Sequence, residues 1–409
     1  MSADFAIVVA GGGVVGAASA ALLQRRAGVP RGSVLLVDRV LPAAPVLGAT
    51  LDSRVSAISR AGLAVIAEAG AEPHLDPDRL APYERLRVWS AGADPFGDAV
   101  LSFDAAEIAV ADLGVVAENR ALQAALLAAA RDAGAELRTG AIAGATVTAD
   151  AATLMVDGAP ITAELLVIAD GADSPLREAL GIAVDVRPYG QSAIVASLAP
   201  ERAHAATAWQ CFLAGGPVAL LPLANGDVSL VWSLPEERAA ERMALDDDAF
   251  VRELEAVMPV LGALRLTGRR VAFPLRRQTA ERWSDLRSVL VGDAAHTLHP
   301  LAGQGLNQGL LDVGALATAL ANRPSRESVG AARALAHYER ARRAAYAPVA
   351  AIVNTLDRLF GAPATGRLIG AAALGVAARS RPLREWFMRE ASLATTSRPA
   401  ESGRPSQRR

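Results

Sequence analysis

The beginning of the chain constrains its fold most. Ile7-Val8-Val9-Ala10 reads as a short buried strand, and Gly11-Gly12-Gly13-Val14-Val15-Gly16 follows it directly. An Ala-rich helix is expected from there to about Arg26, stopped by Gly28 and Pro30, before Val34-Leu35-Leu36-Val37 returns as a second strand. Asp38 closes that strand, 22 residues after Gly16. Strand, GxGxxG, helix, strand and acid, in that order, make the fingerprint of a dinucleotide-binding βαβ unit. Gly11 permits the tight turn, Gly13 lets a pyrophosphate approach the backbone, and Gly16 lets the helix pack on the strand. Asp38 is placed to hold a ribose hydroxyl.

Two later stretches repeat the theme of a buried strand that ends on an acid. The run Leu165–Ala169 ends in Asp170-Gly171-Ala172-Asp173, and Val289-Leu290-Val291 ends in Gly292-Asp293. Ligands of open α/β sheets gather at the carboxyl ends of strands, so both turns are expected in the crevice opened by the first unit. After Asp293 comes a Gly/Pro loop, and then Leu306, Leu310, Val313, Ala317 and Leu320 keep helical spacing. The N-terminus of that helix carries roughly half a positive charge and free N–H groups, which suits an anionic ligand edge. Arg54, and Arg120 and Gln123 at the start of a helix over 119–133, are placed either to reach a cofactor or to stand solvated.

Between about 181 and 272 the pattern changes to period two. Val228, Leu230, Trp232 and Leu234 alternate with Ser229, Val231 and Ser233, and Asn225-Gly226-Asp227 joins that strand to residues 218–222 as a hairpin. Thr207, Trp209, Cys211 and Leu213 form another alternating set. This region reads as an antiparallel sheet with one face covered, interrupted by a helix near 246–257. Its apolar face is expected either to wall a pocket over the cofactor or to bury itself in a second core.

The fold class expected is α/β: a Rossmann-like domain with an inserted antiparallel-sheet domain and a C-terminal helical region. Residues 1–74, 116–180 and 273–325 are assigned to the cofactor domain, and 75–115 and 181–272 to the substrate domain. Helices are expected over 326–392, including separate ones at 329–345 and 350–359, followed by a disordered tail over 393–409.

Composition narrows the chemistry. The net charge of −2 gives no reason to expect a nucleic-acid partner. All 41 basic residues are Arg, which excludes a Lys nucleophile, a Schiff base or a phosphate-loop Lys. The single Cys211 excludes an internal disulfide and reads as a small buried apolar residue. His296 and His299 in a Pro/Gly loop read as structural, so no metal site is expected. No signal peptide and no membrane span are read, which makes the cytoplasm the default location. The segment 366–388 combines small apolar residues, Arg flanks and Trp386-Phe387, and suits peripheral contact with a membrane surface as well as packing on the core.

Taken together, Gly11–Gly16 with Asp38, Asp170-Gly171 and Gly292-Asp293 resemble the FAD-dependent aromatic hydroxylases related to para-hydroxybenzoate hydroxylase. Tyr189-Gly190-Gln191-Ser192-Ala193, residues 216–222, Ser229-Leu230-Val231-Trp232-Ser233, Phe273-Pro274-Leu275, residues 292–312 and Tyr338-Glu339-Arg340-Ala341-Arg342 are similar to the ubiquinone-biosynthesis branch. The resemblance covers residues 5 to about 360. It implies noncovalent FAD, with Gly11, Gly13, Gly16 and Asp38 on the ADP half and Arg54, Arg120 and Gln123 near the pyrophosphate and ribityl chain. Asp170 and Gly171 would contact FAD and help pass NAD(P)H. The Gly292-Asp293 turn would hold the ribityl chain, and Pro300, Gly303, Gly305 and Asn307 would border the isoalloxazine ring. Asp38 departs from the more common Glu but keeps the acceptor.

The implied activity is hydroxylation of a prenylated phenol with molecular oxygen, NAD(P)H supplying electrons, at the inner face of the cell membrane or within a ubiquinone-biosynthesis complex. A related monooxygenase acting on a soluble aromatic, and a non-catalytic flavin-bound scaffold, are the alternatives. No general base is assigned; His296, His299 and Tyr189 qualify by side-chain type alone.

Overall fold

The computed structural model describes residues 3–42, 51–52, 54–98, 100–299, 304–361 and 370. The chain opens with β1 (Phe5–Ala10), α1 (Val14–Arg26) and β2 (Val34–Asp38). Then come β3 (Val55–Ser59), α2 (Arg60–Glu68), β4 (Ala81–Tyr83), β5 (Arg85–Ser90), β6 (Leu101–Asp104), β7 (Gly114–Glu118) and α3 (Asn119–Ala133). β8 (Glu136–Thr139), β9 (Ile142–Val147), β10 (Ala152–Val156), β11 (Ala159–Ile168) and α4 (Pro175–Ala179) lead to the long β12 (Val184–Pro200). β13 (Thr207–Leu213), β14 (Gly216–Pro222), β15 (Val228–Pro235), α5 (Glu236–Ala244), α6 (Asp247–Val257) and β16 (Leu264–Leu266) follow. The last elements are β17 (Val271–Ala280), β18 (Ser284–Asp285), β19 (Ser288–Leu290), β20 (His296–Thr297), α7 (Gln304–Ala321) and α8 (Ala332–Gly361).

One sheet runs β18-β19-β11-β1-β2-β8, with β10 and β9 attached to β11. Its centre is parallel: β19, β11, β1, β2 and β8 pair in the same direction. β1, β2 and the C-terminal half of β11 read as near-continuous apolar runs because both faces are buried, and Ile7 to Ala10 and Val34 to Val37 are wholly buried. The small residues of α1 let it lie close to α3 and α7.

The second sheet runs β20-β17-β12-β15-β14-β13-β5-β6, with β16 on β12. It is mixed rather than antiparallel, because β5 pairs parallel with β13. Hairpins force antiparallel neighbours. β5 arrives from a segment more than a hundred residues earlier and is free to enter in the other sense. The hairpin β14–β15 turns where expected, with Gly226 at φ +88° and Asn225 Oδ1 accepting from the Asp227 N–H.

The face of Val228, Leu230, Trp232 and Leu234 does not wall a pocket. It is buried beneath Phe250, Leu254 and Met258 in a separate core, with Trp232 and Phe250 rings 6.0 Å apart. α6, capped by Asp246 Oδ1 on the Ala249 N–H at 2.7 Å, supplies that cover. The opposite face carries Ala193, Val195, Val231, Ala219 and Phe212, and the C-terminal half of α8 packs on part of it: Phe360 stacks on Phe212 at 4.2 Å.

The two helices expected at 329–345 and 350–359 form one helix, α8, with Pro348 inside it. A proline costs a helix one backbone hydrogen bond. Burial of Leu335, Tyr338, Tyr346, Val353 and Phe360 along a single line offsets that loss. Among the described residues no helix is long and apolar enough to cross a membrane.

Candidate active site

The parallel centre of the first sheet decides where the sequence motifs meet. Ala10 lies in register with Val37 and with Ile168, and Ile168 with Leu290. The turns that follow these strands therefore emerge at one edge: Gly11 to Gly16, Asp38, Asp170-Gly171 and Gly292-Asp293. Close packing explains the glycines. A Cβ on Gly11, whose φ is +108°, would lie 2.3 Å from the Ala169 carbonyl oxygen, and one on Gly16 would lie 1.8 Å from the Gly11 oxygen. Gly13 is different: a Cβ there would meet nothing within 4 Å. It sits at the N-cap of α1, where no side chain caps the first turn.

Asp38 Oδ2 accepts from the Gly12 N–H at 2.5 Å and Oδ1 from the Val40 N–H at 3.2 Å. Gln123 donates to the Gly12 carbonyl at 2.7 Å, so α3 braces the glycine turn from the other side. Arg54 and Arg120 are exposed, and Arg120 lies 3.9 Å from Asp52 as a loose ion pair. Both stand beside the β3–β7 pair, where the Asn119 N–H meets the Arg54 carbonyl.

The two Asp-Gly turns are strapped together by residues that carry no motif. Arg177, 6% exposed, donates to the Ala294 carbonyl at 2.9 Å and to the Ala172 carbonyl at 2.9 Å. Gln278 donates to the Ala172 carbonyl at 2.5 Å and to Asp293 O at 3.3 Å. One turn cannot shift without the other. The sole sequence signal for Arg177 is its place three residues after Ser174, whose hydroxyl caps α4. Asp170 Oδ1 is buried without a partner among the described residues, and burial raises the pKa of this carboxyl. Dense surroundings likewise raise that of Asp293, which opens to solvent at the edge of the turn, while His296 acts in the opposite sense.

α7 approaches from the same side. Gly309 crosses so close to Gly292 that a Cβ would come 3.2 Å from the Gly292 Cα. Asp312, fully buried, accepts from the Gly292 N–H at 2.9 Å, from His296 Nε2 at 2.8 Å and from Arg342 Nε at 2.7 Å. His296 and Arg342 hold its carboxyl below the usual range against the opposing effect of burial. Glu339, on the same helix as Arg342, accepts from the Trp283 and Ser284 N–H groups, both at 3.0 Å, and Tyr338 donates to the Leu290 carbonyl at 2.8 Å. The Tyr338 to Arg342 motif thus clamps the β19 edge and the turn after it. Asn307 turns to β3, donating to the Ala57 carbonyl and accepting from the Ser59 N–H, both at 2.8 Å. A Cβ on Gly305 would meet nothing within 4 Å. Pro300 and Gly303 lie outside the described residues.

This edge fits FAD. Open backbone at Gly13, Gly171 and Gly305 leaves room for close approach, the first turns of α1 and α7 offer N–H groups, and the unpartnered Asp170 oxygen awaits a donor. Residues 4–352 match the family described as FAD binding domain. The chain is 36% identical over 404 residues to the ubiquinone hydroxylase UbiL of Rhodospirillum rubrum, covering 94% of this chain and 89% of that protein.

The chain belongs to the FAD-dependent aromatic hydroxylases of the ubiquinone-biosynthesis family.

This hydroxylase is also 35% identical over 327 residues to the 3-demethoxyubiquinol 3-hydroxylase of Escherichia coli, covering 77% of this chain and 79% of its relative. Its fold is that of Klebsiella pneumoniae HpxO, solved with FAD and uric acid, at a TM-score of 0.71 and 18% identity over 94% of this chain and 96% of that one. It is an FAD-dependent monooxygenase, an α/β protein with a Rossmann-like FAD-binding region, an inserted mixed sheet and C-terminal helices.

Proposed function

We propose that this hydroxylase inserts an oxygen atom into the ring of a polyprenylated phenol during ubiquinone synthesis, with NAD(P)H as electron donor. The observation that carries the proposal is the meeting of four strand-end turns at one edge, in a chain whose relatives are named as a ubiquinone hydroxylase and a 3-demethoxyubiquinol 3-hydroxylase. Gly11, Gly13, Gly16 and Asp38 receive the ADP half of FAD, with Gln123, Arg54 and Arg120 beside the pyrophosphate and ribityl chain. Asp170, Gly171 and the Gly292-Asp293 turn line the next part of the edge, and Gly305 and Asn307 flank the ring from α7. Bound FAD supplies the reduction of oxygen and its transfer to the ring. The protein's part is to orient the phenol and keep water out. The face of the second sheet opposite Trp232 carries the surfaces suited to that task, with Ala193, Val195 and Val231 apolar along it. In this reading residues 1–74, 116–180 and 273–325 hold the cofactor and residues 75–115 and 181–272 the substrate, although β17 and β20 pair into the second sheet. A cytoplasmic protein that meets the membrane through 366–388 fits a lipid-tailed substrate; apart from residue 370 that segment lies outside the described residues.

Deleting the gene and extracting the lipids tests the assignment. A prenylphenol lacking one hydroxyl should accumulate and disappear when the intact gene is restored, but not with a Gly13→Val copy. Unchanged ubiquinone with no such intermediate, in a strain without a redundant hydroxylase, would falsify the assignment and favour a soluble aromatic substrate.

A further inference from the structure

A polar chain runs from α8 to the end of the segment that leads into 300–303. Asp357 Oδ1 accepts from Gln191 Nε2 at 3.3 Å, and Gln191 Oε1 lies 2.9 Å from His299 Nε2. Tyr189 packs edge-on against the His299 ring at 4.9 Å, and its hydroxyl donates to Asn354 Oδ1 at 3.3 Å. His299 is 1% exposed and Gln191 7% exposed. Among the described residues His299 Nδ1 is buried and has no hydrogen-bond partner.

The chain fixes its own proton positions. A carboxylate only accepts, so it orients the Gln191 amide with nitrogen toward Asp357 and oxygen toward His299. An amide oxygen also only accepts, so His299 must carry its proton on Nε2. Nδ1 is left as a bare lone pair. Burial pushes the imidazole pKa down to about 4, so the ring stays neutral and the lone pair stays available at neutral pH. A buried acceptor without a donor is costly, and a ligand hydroxyl that brings the proton would satisfy it. Gln191 lies on β12 opposite Leu275 and two residues from Ala193, on the face of the sheet turned away from Trp232.

We propose that His299 Nδ1 accepts a hydrogen bond from the phenolic hydroxyl of the substrate, and that Asp357 and Gln191 are positioning residues that set its tautomer. This rests on the phenol reading given above. The pair selects a ring bearing a free hydroxyl over the same ring with that oxygen capped. It also orients the ring, because the acceptor is fixed from α8.

The test is a binding measurement on the FAD-loaded protein, read from the perturbation of flavin absorbance, with 2-geranylphenol and its methyl ether as matched probes. The intact protein should bind the phenol about tenfold or more tightly than the ether, the discrimination expected when a buried acceptor loses its donor. His299→Phe, which keeps a ring against Tyr189, should bind the two equally. Asp357→Leu, remote and half-exposed, should retain FAD and lose most of the preference, because the amide is then free to turn over. Equal binding of phenol and ether by the intact protein would overturn the His299 assignment alone. A preference that survives both variants would do the same. Failure of the intact protein to bind either probe would overturn the phenol reading, and the His299 assignment with it.

Discussion

Two glycines of the first turn separate cofactor binding from folding. Gly13 is extended, at φ −63° and ψ −179°, with nothing near its absent Cβ. The Cβ of Gly13→Val therefore meets no protein atom within 4 Å, and apoprotein stability should stay within about 1 kcal/mol, the size of the unfolded-state effect of replacing a glycine. The added side chain instead fills the approach to the first turn of α1. If it displaces two charge-assisted bonds worth about 1.5–3 kcal/mol each, FAD affinity should fall by about 3–6 kcal/mol, or roughly a hundredfold to ten-thousandfold. Gly16→Ala behaves in the opposite way. Its Cβ would lie 1.8 Å from the Gly11 oxygen, a backbone atom that no rotamer change can move. Overpacking of that kind costs about 1–3 kcal/mol or more, so the apoprotein itself should be destabilised. Fluorescence-quench titration of FAD into each apoprotein, beside denaturant unfolding of the same samples, measures both quantities. If the Gly13→Val apoprotein unfolds as early as Gly16→Ala, or takes up FAD with near-normal affinity, the account of this turn is wrong.

Asp312→Ala leaves Arg342 buried without its carboxylate and should cost about 3–5 kcal/mol in denaturant unfolding; pairing it with Arg342→Met should recover part of that loss in a double-mutant cycle. His299 gives a pH signature. Its folded pKa, near 4, lies below the ordinary 6.5, so the unfolded chain binds the extra proton between these values and stability falls as pH falls through that window, by up to about 3 kcal/mol. Unfolding of His299→Gln followed from pH 7 to 4 should show a correspondingly shallower decline. Shortening the prenyl chain of the phenol should lower kcat as well as weaken binding, since tail contacts help to orient the ring; steady-state oxygen consumption would show it.

The sequence by itself determined the local grammar. Glycine spacing, an acid at a strand end and an apolar run of strand length are properties of a few neighbouring residues, so the β1-α1-β2 unit, the two later strand-end turns and the α7 start were legible from the residues alone. Period two revealed the second sheet, and Asn225-Gly226-Asp227 one of its hairpins. Only the tertiary structure decided which side of that sheet is core. Alternation says that a strand has two faces, but the partner that buries one of them, here Phe250 and Leu254 of α6, arrives through space. The parallel entry of β5 beside β13 is likewise a long-range pairing with no local mark. Pro348 reads locally as a helix end, yet α8 runs through it, because the burial of Tyr346, Val353 and Phe360 outweighs one missing hydrogen bond. The buried straps were the least legible of all. Arg177 bridges two turns 122 residues apart, from Ala172 to Ala294, and Asp312 joins a strand end to a helix thirty residues later at Arg342. Each is an ordinary charged residue in sequence, and folding gives it a partner by removing the water that would otherwise satisfy it.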